Sequence, residues 1–110
     1  MRPEGFERLV EEALAEIPDQ FRKHLEEVSF VIQDRLSPDQ RQQFGFSRED
    51  RDPLGFYDGI PLGERSSFDA ATPHRDTIYV FREPLISFCE GDEESLREEI
   101  RITIIHEIAH

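Results

Sequence analysis

Cysteine is almost missing from this sequence, and the one present, Cys89, cannot form an intrachain disulfide. No disulfide framework holds the chain, nothing argues for an oxidising compartment, and Cys89 is expected to pack as a small hydrophobe. Long apolar runs are also missing. Nothing approaches the roughly 18 residues of a membrane span, and Met1-Arg2-Pro3-Glu4-Gly5-Phe6 lacks the apolar stretch of a signal peptide. No membrane partner is expected, and the cytoplasm is the default compartment. Basic residues are scarce, 13 Lys and Arg against 25 Asp and Glu, leaving a formal charge of −12. A surface of that sign repels polyanions and lacks the cationic stripe that a phosphate backbone requires, so nucleic acid is excluded as a partner. Lys23 is the single lysine and asparagine is absent, which fits a thermophile or a GC-rich genome equally well.

What remains is a chain of 110 residues, 36% hydrophobic with nine Phe and 35% charged, which fits one domain over residues 1–110 with a single core. Phe6, Leu9, Val10, Ala13, Leu14 and Ile17 recur at helical spacing until Pro18 closes the run. Phe21 and Leu25 mark a second, short helix over Asp19 to Glu27. Val28 to Gln33 alternates as a strand. From Leu36 to Phe56 the pattern dissolves, and the segment reads as an irregular, mobile excursion of the kind that can border an active site. Gly55 to Leu62 reads as a strand broken at Asp58-Gly59, a step that starts tight hairpin turns. Thr77 to Phe81 is the clearest strand, ended by Pro84. Asp92 caps a last helix with Glu93 and Glu94 in its first turn and Leu96, Ile100 and Ile104 along one stripe. After Arg101 that helix is apolar nearly all round, and its C-terminal half is expected to be buried.

Within that half lies His106-Glu107-Ile108-Ala109-His110, the pattern H-E-x-x-H. Residues four apart stack on one helix face, so the imidazoles of His106 and His110 can both reach one zinc ion, at about 2.0–2.1 Å from each nitrogen. Glu107 projects beside that stripe, where its carboxylate can take a proton from metal-activated water without occupying a coordination position. With four His and sixteen Glu in the chain, chance supplies this pattern with a probability on the order of a few per cent. Ionisable groups interrupting an Ile-rich stretch also need a reason to be there. The ordinary reading is a pair of structural histidines. His24, in a polar helix beside Lys23 and Glu26, is expected to be solvated, and His74, in Pro73-His74-Arg75-Asp76, is a turn residue. A usual catalytic zinc site takes three protein ligands, and two precede the end at His110. A helix ending on its metal ligand without a Gly cap is no natural terminus, so the chain is expected to be truncated there and to hold zinc weakly.

These residues resemble the small bacterial zincin-like metallopeptidases. The likeness runs through the opening amphipathic helix, Gly55-Phe56-Tyr57-Asp58-Gly59-Ile60-Pro61-Leu62 with Glu64-Arg65, Ile78-Tyr79-Val80-Phe81-Arg82 before Pro84-Leu85, and the H-E-x-x-H helix. The resemblance implies a minimal zincin with the extended pattern H-E-x-x-H-x-x-G-x-x-D, whose Asp, as third ligand, falls six residues beyond His110. Tyr57 and Arg65 match recurring family positions without an assigned role.

The fold expected is α+β, with a small mixed sheet packed against the N-terminal helix and the H-E-x-x-H helix and lining a cleft. The function expected is a zinc-dependent metallopeptidase acting on a peptide or protein substrate, with Glu107 as general base. The competing reading is a non-catalytic module that keeps the fold and binds peptides along a sheet edge.

Overall fold

A computed structural model describes residues 3–59 and 76–109. Helix α1 (Pro3–Ala15) carries its apolar residues on one stripe, and Phe6, Leu9, Val10 and Ala13 are buried. Pro18 cannot continue the helix, and Arg22 closes its end by donating from Nη2 to the Ala15 carbonyl at 2.6 Å and from Nε to that of Ile17 at 3.3 Å. Helix α2 (Asp19–Leu25) follows, then strand β1 (Ser29–Gln33). The segment read as irregular in fact contains helix α3 (Pro38–Phe44). Ser37 Oγ accepts from the Gln40 amide while the Gln40 side chain accepts from the Ser37 amide, Pro38 stands in the first turn, and Gly45 ends the helix at φ +85°. The turn beyond it is organised by Arg41, which bonds Asp52 and the Ser47 carbonyl, both at 2.7 Å.

Among the described residues, strands β2 (Gly55–Asp58) and β3 (Thr77–Phe81) join β1 in a three-stranded mixed sheet in the order β1-β3-β2. β1 runs parallel to β3 with Val31 opposite Tyr79, and β2 runs antiparallel with Phe56 opposite Tyr79. Asp58 and Thr77 are therefore partners; Ile60 to Leu62, on the far side of the expected Asp58-Gly59 turn, lie outside the described residues. Pro84 does not simply end β3. It lies in the first turn of helix α4 (Arg82–Phe88), where a missing amide hydrogen costs nothing. The parallel strands leave the sheet side by side, and Asp34–Arg82 at 2.8 Å, Arg35–Glu83 and the Glu83 amide on the Asp34 carbonyl at 2.9 Å hold their ends together.

Both faces of the sheet are covered. Ile78 and Val80 point into the core formed with α1 and helix α5 (Glu93–Ala109), which contributes Leu96, Ile100 and Ile104. On the opposite face Phe44 of α3 stacks on Phe56 at a centroid distance of 4.5 Å, with Phe46 at 5.8 Å from Phe56 and Tyr79 at 5.7 Å from Phe44. Aromatic pairs of this kind contribute about 0.5–1.5 kcal/mol each beyond burial. The near-continuous apolar run of β3 follows from this double cover. The architecture is α+β, as expected. No helix among the described residues is long and apolar enough to cross a membrane.

Candidate functional site

Helix α5 positions the motif, and its start is chemically explicit. Asp92 Oδ2 accepts from the Ser95 amide at 2.9 Å, and that backbone bond, reinforced by the Ser95 side chain, holds the Asp92 carboxyl below the usual carboxylate range. Glu93 and Glu94 sit in the first turn, where the helix dipole favours them. The preceding chain reverses through a paired turn: Glu90 adopts φ +54° and Gly91 φ +79°, and their amides donate to the carbonyls of Ser87 and Ile86. Cys89, at that helix end, is a half-buried free thiol whose pKa burial pushes up.

The middle of α5 is clamped between α1 and the sheet. Arg97 reaches Glu12 on α1 at 3.6 Å and Glu16 just beyond its end at 3.7 Å, exposed contacts worth well under about 1 kcal/mol each. The tighter constraint is on the other side. A Cβ placed on Gly55 would lie 2.7 Å from Thr103 Cγ2 and 3.0 Å from the Tyr79 carbonyl oxygen. Helix and strand backbones approach as closely as a missing side chain allows, and Thr103 marks where α5 crosses β2.

His106 and Glu107 follow three and four residues later, so both rise from the flank of α5 that carries Thr103, one turn past the crossing. His106 is exposed and Glu107 half-buried. Helical structure continues through Ala109, which brings His106 to the last turn. His110 lies outside the described residues, as do His74 and Arg65. His24 is on α2, as expected of a solvated residue. The expected burial of the C-terminal half of α5 is met in part: Thr103 and Ile104 are buried, and Ile105 and Ile108 pack half-buried against the core. The buried residues end at Ile104, while Ile102 is 45% exposed and Ala109 is exposed. A cost of burial does not account for the exposed His106, and the support for the motif rests on its spacing and on the helix that carries His106 and Glu107.

Imidazoles spaced i and i+4 on a helix are a chemically apt pair for zinc; of this pair His106 stands on the last turn of α5 with its side chain exposed. Among the described residues no group of three His, Cys, Asp or Glu side chains is placed to hold a metal ion. Surface grooves of about 480 Å³, beside Arg35, Leu54 and Phe88, and of about 370 Å³, beside Cys89, Glu98 and Ile102, do not reach the motif.

One structural contact escaped the sequence. Tyr57 donates its hydroxyl to Asp76 Oδ2 at 2.6 Å, and a Cβ on Gly59 would lie 2.6 Å from Tyr57 Cε1 and 2.7 Å from Asp76 Cγ. The three residues pin the end of β2 to the start of β3. Tyr57 stands two residues along β2 from Gly55, hence on the same face. The sequence had offered Tyr57 as a recurring position and Asp76 as part of a turn, without a signal that they meet.

The model of the zincin-like metallopeptidases matches residues 25–110, and the chain belongs to that family. A solved structure, a conserved hypothetical protein from Thermo thermophilus, is similar in fold, with a TM-score of 0.62 at 23% identity over 99% of this chain and 92% of that one. No curated protein matches the chain significantly.

Proposed function

We propose that the protein is a zinc-dependent metallopeptidase in which His106 and His110 are metal ligands and Glu107 is the general base. The observation that carries this reading is the continuity of α5 from its Asp92 cap through Ala109, which sets His106 one turn beyond the crossing with β2. A zinc ion held by His106 and His110 would supply Lewis acidity and would lower the pKa of water toward about 7. The Glu107 carboxylate accepts the proton of the attacking water and delivers it to the nitrogen of the leaving amine. Glu107 is half-buried and His106 exposed, which is compatible with these two roles. The substrate is a peptide or protein.

The experiment is zinc analysis by mass spectrometry on the protein as its gene encodes it, purified with zinc supplied. About one zinc per chain is expected, and His106→Ala should lose it. Absence of zinc from the wild type would refute the metal-site reading.

A further inference from the structure

β1 is one edge of the sheet, and among the described residues its second edge pairs with no strand. Native edges are usually protected by charge, proline or a bulge. The strand Ser29-Phe30-Val31-Ile32-Gln33 has none of these, although the chain is 35% charged, and Val31 and Ile32 are 36% and 38% exposed. The Ser29 amide donates inward to the Asp76 carbonyl at 2.8 Å. In a parallel ladder each residue directs both backbone groups to one side, so Val31 and Gln33 also face β3. The amides and carbonyls of Phe30 and Ile32 therefore face outward.

We propose that this edge is a self-association surface, on which a second copy of the chain adds its own β1 antiparallel about a two-fold axis at Val31. Three registers satisfy the outward-facing groups, and charge separates them. Pairing centred on Phe30 sets Glu26 against Asp34 of the second copy. Pairing centred on Ile32 sets Phe30 against Asp34. Pairing centred on Val31 matches Phe30 with Ile32 twice and Val31 with Val31, and it turns Glu27 at each strand entry toward Arg35 at the other copy's exit. Arg35 is already held in place by Glu83 and remains largely exposed. Two chains of charge −12 repel, so a segment without charge is where they can approach at least cost. The pairing closes both edges on each other and yields one six-stranded sheet, with α5 and its motif on the side of each protomer that carries β2.

Sedimentation equilibrium on the wild type, from micromolar to submillimolar concentration, should show a monomer–dimer equilibrium. Val31→Lys sets like charges opposite each other across the axis and should weaken association about tenfold or more. Its circular dichroism spectrum and melting temperature should match the wild type, because Val31 is already part exposed. In a Cys89→Ser background, two Val31→Cys chains should cross-link on mild oxidation, because non-hydrogen-bonded partners place their Cα atoms about 4.5 Å apart. Ser29→Cys, whose partner in this register is Gln33, should not. A wild type monomeric throughout, a Val31→Lys variant that associates as the wild type does, or Ser29→Cys cross-linking as readily as Val31→Cys would each overturn the proposal.

Discussion

Thr103 and Gly55 meet where α5 crosses β2, and the contact leaves no room for a side chain on the strand: a Cβ there would sit 2.7 Å from Thr103 Cγ2. Gly55→Ala should therefore destabilise the fold by about 1–3 kcal/mol, as overpacking does. Removing the opposing methyl with Thr103→Ser in the same chain should recover part of that loss. The Tyr79 carbonyl, 3.0 Å from the same point, keeps the recovery incomplete. Urea denaturation of the single and double variants measures the coupling, and additive losses would mean that the two residues do not oppose each other.

Helix α3 has no buried residue, so its stability depends on its ends. Ser37→Ala removes one half of a reciprocal capping pair and should cost about 1 kcal/mol. Because α3 presents Phe44 to Phe56 and Tyr79, near-ultraviolet circular dichroism should change along with the denaturation midpoint. A Ser37→Thr variant should stay close to the wild type.

Glu90 occupies a left-handed conformation that favours glycine, at φ +54°. Glu90→Gly should stabilise the protein by about 0.5–1 kcal/mol, read as a rise in melting temperature. A fall would show that the Glu90 side chain contributes more than its backbone costs.

The depressed pKa of Asp92 fixes the sign of a pH effect. A carboxyl whose folded pKa lies below its unfolded value adds stability above the ordinary carboxylate range, and that contribution is lost as pH falls through the folded value. Asp92→Ala should melt below the wild type at neutral pH, and the gap should narrow under acid. A gap constant with pH would place the effect elsewhere than in the Ser95 amide bond.

The sequence made legible those elements that bury a stripe. The spacing of Phe6 to Ile17 and of Leu96 to Ile104 gave both packed helices, and alternation gave β1 and β3. What escaped follows from the same logic. α3 has no fully buried residue and packs through Phe44 alone, so it leaves no apolar period, and only the box Ser37-Pro38-Asp39-Gln40 announces it. α4 was hidden by Pro84, a residue equally at home after a strand and in a first helical turn. The apolar surround of the motif suggested full burial, yet burial depends on what packs alongside: full burial ends at Ile104, and Ile105 and Ile108 pack only half-buried against the core. Of the site, the pattern and its helix were readable. The close approach at Gly55 that positions it depends on a residue 48 positions away along the chain, at Thr103.

The most direct measurement is the turnover of a peptide library by the wild type and by Glu107→Gln, with both proteins at equal zinc content. An amide cannot take the proton from water, so Glu107→Gln should retain its metal and lose hydrolysis by about two or more orders of magnitude. Equal turnover would contradict Glu107 as the base, and no turnover by either protein would favour the non-catalytic peptide-binding reading over the peptidase.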